Sequence, residues 1–206
     1  MKVLLINGSP KEKGCTFVAL SEIEKTLNKD GIDTEILYLG KEPVGSCLGC
    51  GACSKTGKCV RNDLLNDLLP RLSDFDGLIV GSPVHYAAAS GQITSFLDRM
   101  FFAGSKYLAG KPAAAIVSCR RGGASAAFDQ LNKYFSISNM PIVTSQYWNQ
   151  VHGSTPEDVL KDEEGLQTMR TLAQNMAWIL KCIEAGKNAG IDKPQYEPKI
   201  KTSFIR

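Results

Sequence analysis

Four of the seven cysteines fall within thirteen residues, Cys47, Cys50, Cys53 and Cys59, on a stretch rich in glycine. A cubane cluster needs four soft ligands converging on a small volume, and spacings this short let one flexible loop wrap it. Zinc also takes four thiolates, but zinc ribbons more often set two knuckles apart on a long arm. The spacing therefore favours a 4Fe-4S cluster over zinc, with free buried thiols or a disulfide formed in air as the non-metal readings. An odd total of cysteines in a chain without an evident export signal points to metal or redox chemistry rather than a disulfide framework. Cys119 and Cys182 have no activating neighbours and read as small buried residues.

Three further strings carry chemistry. Gly8-Ser9-Pro10-Lys11-Glu12-Lys13-Gly14-Cys15-Thr16 combines hydroxyls, two lysines and a flexible glycine, and it opens onto a helix whose free N–H groups favour a phosphate. It is neither the P-loop pattern nor the three-glycine dinucleotide fingerprint. Gly81-Ser82-Pro83-Val84-His85-Tyr86, continuing to Gln92, sets aromatics beside small residues, as the lining of a flat ring would require. Ser118-Cys119-Arg120-Arg121-Gly122-Gly123 offers arginines and open backbone to an anionic or electron-rich ring edge. Taken singly, each string is also an ordinary βα connection: a turn started by proline with Tyr86 packed on the next helix, or a glycine turn with solvated arginines. His85 has no acid or base partner in view and is assigned contact with a ligand, not catalysis.

The elements that position these strings alternate along the chain. Strands are expected at Lys2 to Asn7, Ile32 to Leu39, Asp74 to Gly81, Lys111 to Ser118 and Met140 to Ser145. Helices are expected from Thr16 to Asn28, from Ser90 to Phe102, from Ala124 to Phe135 and from Asp158 to Glu184, with a shorter one capped by Asp63 and cut by Pro70. The segment from Gly45 to Cys59 has no periodicity and reads as loop. Apolar strands such as LLI, LIV and AAAIV suit a sheet covered on both faces, so the fold class is α/β: a doubly wound, five-stranded parallel sheet of flavodoxin-like order 2-1-3-4-5. Ligands of such a sheet sit beyond the carboxyl ends of its strands, where the three strings fall. Gln146 to Gly153, after the fifth strand, would reach the same ligand or line a subunit contact.

The 206 residues suit one domain, here 1–190 with its Cys-rich loop at 45–60, and a C-terminal tail at 191–206 able to cross to a partner or to move freely. A net charge of +3 is too small to imply nucleic acid, and no apolar run approaches a membrane span. The chain opens on a strand-like run without a visible leader, so the cytoplasm is the expected location.

Taken in order, VLLINGSPKEKGCT, DGLIVGSPVHYAAASGQITSFLDR and AAAIVSCRRGG resemble the NAD(P)H-dependent FMN reductase family of flavodoxin-like proteins over roughly residues 1–155. The resemblance implies that Ser9, Lys11, Cys15 and Thr16 hold the FMN phosphate. It also implies that Pro83, Val84, His85 and Tyr86, with Ser118, Cys119, Arg120, Gly122 and Gly123, border the isoalloxazine. Cys119, Arg120 and Arg121 depart from the usual glycine-rich form of the third loop. The cysteine spacing, falling after the second strand, is similar to that of the iron-sulfur flavoprotein branch of the same group. The activity implied is hydride transfer from NAD(P)H to the flavin and onward transfer to a small acceptor: free flavin, a quinone, or a nitro or azo compound. The alternative implied is an electron carrier between protein partners such as a ferredoxin. The resemblance also implies a homodimer or homotetramer.

Overall fold

In the first strand, β1 (Lys2–Asn7), every residue from Val3 onward is buried, and alternate side chains enter different cores: Leu4 and Ile6 one, Val3 and Leu5 the other. The same division recurs in β3 (Gly77–His85), where Leu78 and Val80 oppose Ile79, and in β5 (Ala113–Cys119), where Ala115 and Val117 oppose Ala114 and Ile116. A period of two with apolar residues on both sides requires helices on both faces. The computed structural model, which describes residues 1–200 and 202, supplies them. One face is closed by α3 (Leu64–Leu68), the 3-10 turn Leu69–Asp74, α4 (Gly91–Leu108) and α5 (Ala124–Ile137). The other is closed by α1 (Cys15–Lys29) and α7 (Glu163–Asn188).

With β2 (Asp33–Tyr38) and β6 (Gln150–His152) the parallel sheet runs β2-β1-β3-β5-β6, while β4 (Ala88–Ala89) pairs antiparallel with the end of β3. Setting that hairpin strand aside, this is the expected five-stranded order.

Several boundaries differ from the sequence expectation, among them the end of α4, at Leu108 rather than Phe102. The fifth strand is not Met140 to Ser145. That segment meets β5 at the single bridge Ala113–Ile142, and the chain then leaves the edge and returns as β6. Asn149 makes the return possible, because its buried amide donates to the Ala115 carbonyl at 3.1 Å while its own carbonyl accepts from the Val117 N–H at 3.0 Å. Residues 150–152 are therefore strand rather than loop. The third strand outruns its apolar core by four residues, since Ser82 and Pro83 continue the pairing with Val117 and Ser118 of β5.

The expected last helix is two helices. A capping box of Thr155 and Asp158 starts α6 (Pro156–Val159), and the Asp162 side chain caps α7 afresh by accepting from the Gly165 N–H at 2.9 Å. The cysteine segment is not all loop: α2 (Ala52–Thr56) lies within it. Pro70 acts as expected, ending α3 at Leu68 and opening the 3-10 turn, because it cannot donate an N–H. Residues 191–200 form neither helix nor strand, and part of the expected tail, 201 and 203–206, lies outside the described residues. No helix among the described residues is long and apolar enough to cross a membrane.

Candidate functional site

The register of the sheet sets Asn7 beside Gly81 and Gly81 beside Ile116, so the segments after β1, β3 and β5 leave at one rim. Specific bonds tie them together there. The Gly8 N–H donates to the Gly81 carbonyl at 2.9 Å, and the Ser90 hydroxyl donates to the Gly8 carbonyl at 2.7 Å. The Ser90 N–H in turn donates to the Ser82 hydroxyl at 2.9 Å. The hydroxyls of Thr16 and Ser118 meet at 2.8 Å across 102 residues of sequence.

The first loop is wound around Asn7, a fully buried side chain that the sequence reading passed over. Its carbonyl oxygen accepts from the Ser9 N–H at 3.1 Å and its amide donates to the Glu12 carbonyl at 2.9 Å. The Ser9 hydroxyl accepts from the Lys11 N–H at 3.1 Å, and the Tyr38 hydroxyl donates to the Pro10 carbonyl at 3.0 Å. A lone polar residue closing an apolar strand was the available signal for Asn7. Helix α1 then follows Gly14 at its N-cap, with no side-chain cap and no acidic residue in its first turn. Helices α3, α4, α6 and α7 are all capped, by Asp63, Ser90, Thr155 and Asp162. Uncapped N–H groups at the positive end of a 15-residue helix, beside an exposed Lys11, form the donor set a phosphate fits. Thr16 is fully buried with its hydroxyl on Ser118, so in this structure it ties the first turn of α1 to the end of β5. Cys15 sits beside it with its sulfur 3.7 Å from the Gly153 carbonyl and its thiol pushed up by burial.

The second segment is a hairpin rather than a loop. His85 pairs with Ala88, and Tyr86 and Ala87 turn the chain with φ of 49° and 60°. A two-residue turn with both φ positive is type I′, a conformation that favours Asn and Gly and costs other residues about 1 kcal/mol or more each. Tyr86 is fully exposed at its tip, His85 is exposed, and Pro83 and Val84 are half-buried. The third segment holds Ser118 and Cys119 buried at the end of β5 and leaves Arg120, Arg121 and Gly122 exposed. Gly123 follows with φ of 87° and caps α5; a Cβ there would lie 2.6 Å from the Ala87 Cα, so hairpin and third loop are in contact. Cys119, whose thiol burial also pushes up, lies 3.4 Å from His152 Nδ1, a neighbour not foreseen from sequence. His152 and Tyr147 line a polar cavity of about 200 Å³ with Asp162, Glu164 and Thr168.

The four cysteines of the loop line a second cavity, of about 80 Å³, together with Arg99 and Phe102. Gly49, Gly51 and Gly57 take φ of 62°, 67° and 71°, which curls the chain back on itself at three points. None of the cysteines is in a disulfide, and among the described residues no group of three or more His, Cys, Asp or Glu is arranged to hold a metal ion. All four line this cavity as free thiols, and thiolates are the soft donors that an iron-sulfur cluster takes. Beside them Asp63 accepts from both terminal nitrogens of Arg99, at 2.7 and 2.8 Å, and these bonds hold its carboxyl below the usual range. Cys182, expected to be buried, is exposed on α7.

A flavodoxin-like sheet with an anion-ready first loop and two further segments bonded to it at one rim defines a class of flavin-binding α/β proteins. Within that class the chain belongs to the NADPH-dependent FMN reductase family, whose profile matches residues 1–154, and it is a flavoprotein oxidoreductase. It is 31% identical over 194 residues to the Iron-sulfur flavoprotein MJ1083 of Methanocaldococcus jannaschii, covering 89% of this chain and 100% of that one. The fold is similar to that of RosB, solved with a bound 8-demethyl-8-formylriboflavin-5'-phosphate intermediate, at a TM-score of 0.70 and 14% identity over 100% of this chain and 94% of that one. It is similar also to an archaeal flavodoxin, at a TM-score of 0.61 and 15% identity, covering 88% and 99%.

Proposed function

We propose that the protein is an FMN-dependent reductase that takes electrons from NAD(P)H and passes them to a small acceptor such as a flavin, a quinone, or a nitro or azo compound. The observation that carries this reading is the bonding of three sequence-distant segments at one sheet rim, above all Thr16 to Ser118 and Ser90 to Gly8. Bound FMN would supply the hydride-accepting ring, and the side chains hold it. Ser9, Lys11 and the first-turn N–H groups of α1, with Cys15 and Thr16 shaping the loop, would take the phosphate. Pro83, Val84, His85 and Tyr86 would border the ring on one side, and Ser118, Cys119, Arg120, Gly122 and Gly123 on the other. Arg120 is exposed and always charged, so it is placed to offset negative charge on the reduced ring. No side chain need act as an acid or base in hydride transfer.

A second reading, an electron carrier between protein partners of the ferredoxin kind, is favoured by the cavity that Cys47, Cys50, Cys53 and Cys59 line. In this reading the four thiolates hold a 4Fe-4S cluster, as the name of the Methanocaldococcus relative suggests. Purification without oxygen, followed by assay of flavin, iron and acid-labile sulfide, tests both cofactors. Stopped-flow mixing then separates the two functions: rapid bleaching of flavin absorbance by NADH or NADPH supports the reductase. Reduction by a reduced ferredoxin alone supports the carrier. Failure of well-folded protein to take up FMN overturns both.

A further inference from the structure

Arg99 lies in the middle of α4, is 2% exposed, and has every one of its N–H donors engaged. The Nε–H donates to the Cys59 sulfur at 3.2 Å. One terminal nitrogen donates to Asp63 at 2.7 Å and to the Gly45 carbonyl at 3.3 Å. The other donates to Asp63 at 2.8 Å and to the Arg61 carbonyl at 3.3 Å. Five donors thus meet five acceptors in the fork geometry that only a guanidinium presents. The acceptors are not scattered: Gly45 precedes the first cysteine of the loop, Cys59 is the last, and Arg61 and Asp63 follow it. Arg61 reinforces the closure by donating to the Ser46 carbonyl at 3.0 Å.

We propose that Arg99 is the positioning residue of the cysteine loop: it closes the neck between Gly45 and Arg61 and turns the Cys59 sulfur into the cavity, giving the loop its receiving shape before any cluster is bound. The closure of the neck stands on the structure alone. The consequence for a cluster rests on the reading of the four cysteines as its ligands. A donor fixed on a ligand sulfur favours the more negative, reduced form, because hydrogen bonds to sulfur and local charge set the potential of such clusters. Arg99 therefore raises the potential relative to a protein that lacks the bond.

The test compares the full-length chain with Arg99→Lys, which keeps the charge but not the fork, and Arg99→Leu, which removes both. In metal-free protein, trypsin should cut after Lys55 and Lys58 at least about tenfold faster in both variants. That factor follows from losing a charge-assisted hydrogen bond when cleavage tracks the open population. Retained FMN uptake reports that a variant is folded, and Arg99→Lys serves if Arg99→Leu is not. After anaerobic reconstitution, Arg99→Lys should bind less iron and sulfide. Its cluster, titrated under EPR observation, should shift about tenfold in oxidised-to-reduced ratio, roughly 59 mV lower for one electron. Cleavage at the wild-type rate in both variants overturns the proposal. If the wild type binds no iron, the cluster reading falls, and the cleavage rates alone decide whether Arg99 closes the neck.

Discussion

Replacing Gly123 by alanine should damage the protein in a way that replacing its neighbour Gly122 does not. Gly123 has φ of 87°, where an L side chain costs about 1–2 kcal/mol. Its new Cβ would also stand 2.6 Å from the Ala87 Cα and 2.9 Å from the Ala87 Cβ. The first of these is backbone, in a hairpin already held at positive φ, so it has no rotamer by which to yield. Overpacking of this kind adds about 1–3 kcal/mol, for a total of about 2–5 kcal/mol. In a chain of this size, at about 2–4 °C per kcal/mol, the melting temperature should fall by roughly 4–20 °C. Gly122 has no atom within 4 Å of its would-be Cβ and no positive φ, so Gly122→Ala should stay within about 0.5 kcal/mol. Thermal unfolding of flavin-free protein, followed by circular dichroism, measures both. Equal stability of the two variants would refute the contact between hairpin and third loop, and with it the shared rim.

Thr16→Val should cost about 1–3 kcal/mol in urea denaturation by leaving the buried Ser118 hydroxyl unpaired. A double-mutant cycle with Ser118→Ala should return a coupling of about 1 kcal/mol, and strict additivity would dissolve the link. Asp63→Asn should destabilise by about 1–3 kcal/mol at neutral pH, discounted because Asp63 is 39% exposed. Since bonds from Arg99 depress the Asp63 pKa, that stability is complete above the unfolded value of about 3.9 and is lost as pH falls below it. The gap between wild type and Asp63→Asn should therefore be flat from about pH 7 to 5 and narrow in stronger acid. In metal-free protein, iodoacetamide should label the exposed Cys50 and Cys182 well before Cys119, which is 5% exposed with its thiol pushed up by burial. Peptide mass mapping that finds Cys119 first would contradict its placement.

The chain's own residue pattern determined the parallel sheet, its order and the three rim segments. Apolar runs such as LLI and LIV, and the cap Asp63, are local signals that each segment carries by itself. Local pattern also located the cysteine loop and Pro70. What it left undecided depends on partners far along the chain. The fifth strand moved from Met140–Ser145 to Gln150–His152 because Asn149 bonds β5, which no periodicity in 140–152 encodes. Ser82 and Pro83 became strand because Val117 and Ser118 lay alongside to pair with them, and Val84 and His85 because Ala89 and Ala88 fold back on them. Thr16 met Ser118, and Arg99 met Asp63 and Cys59, at sequence distances of 102, 36 and 40 residues. Short-range order follows from each residue's own backbone and side-chain preferences, whereas these bonds exist only once packing has brought distant donors and acceptors within about 3 Å and shut water out.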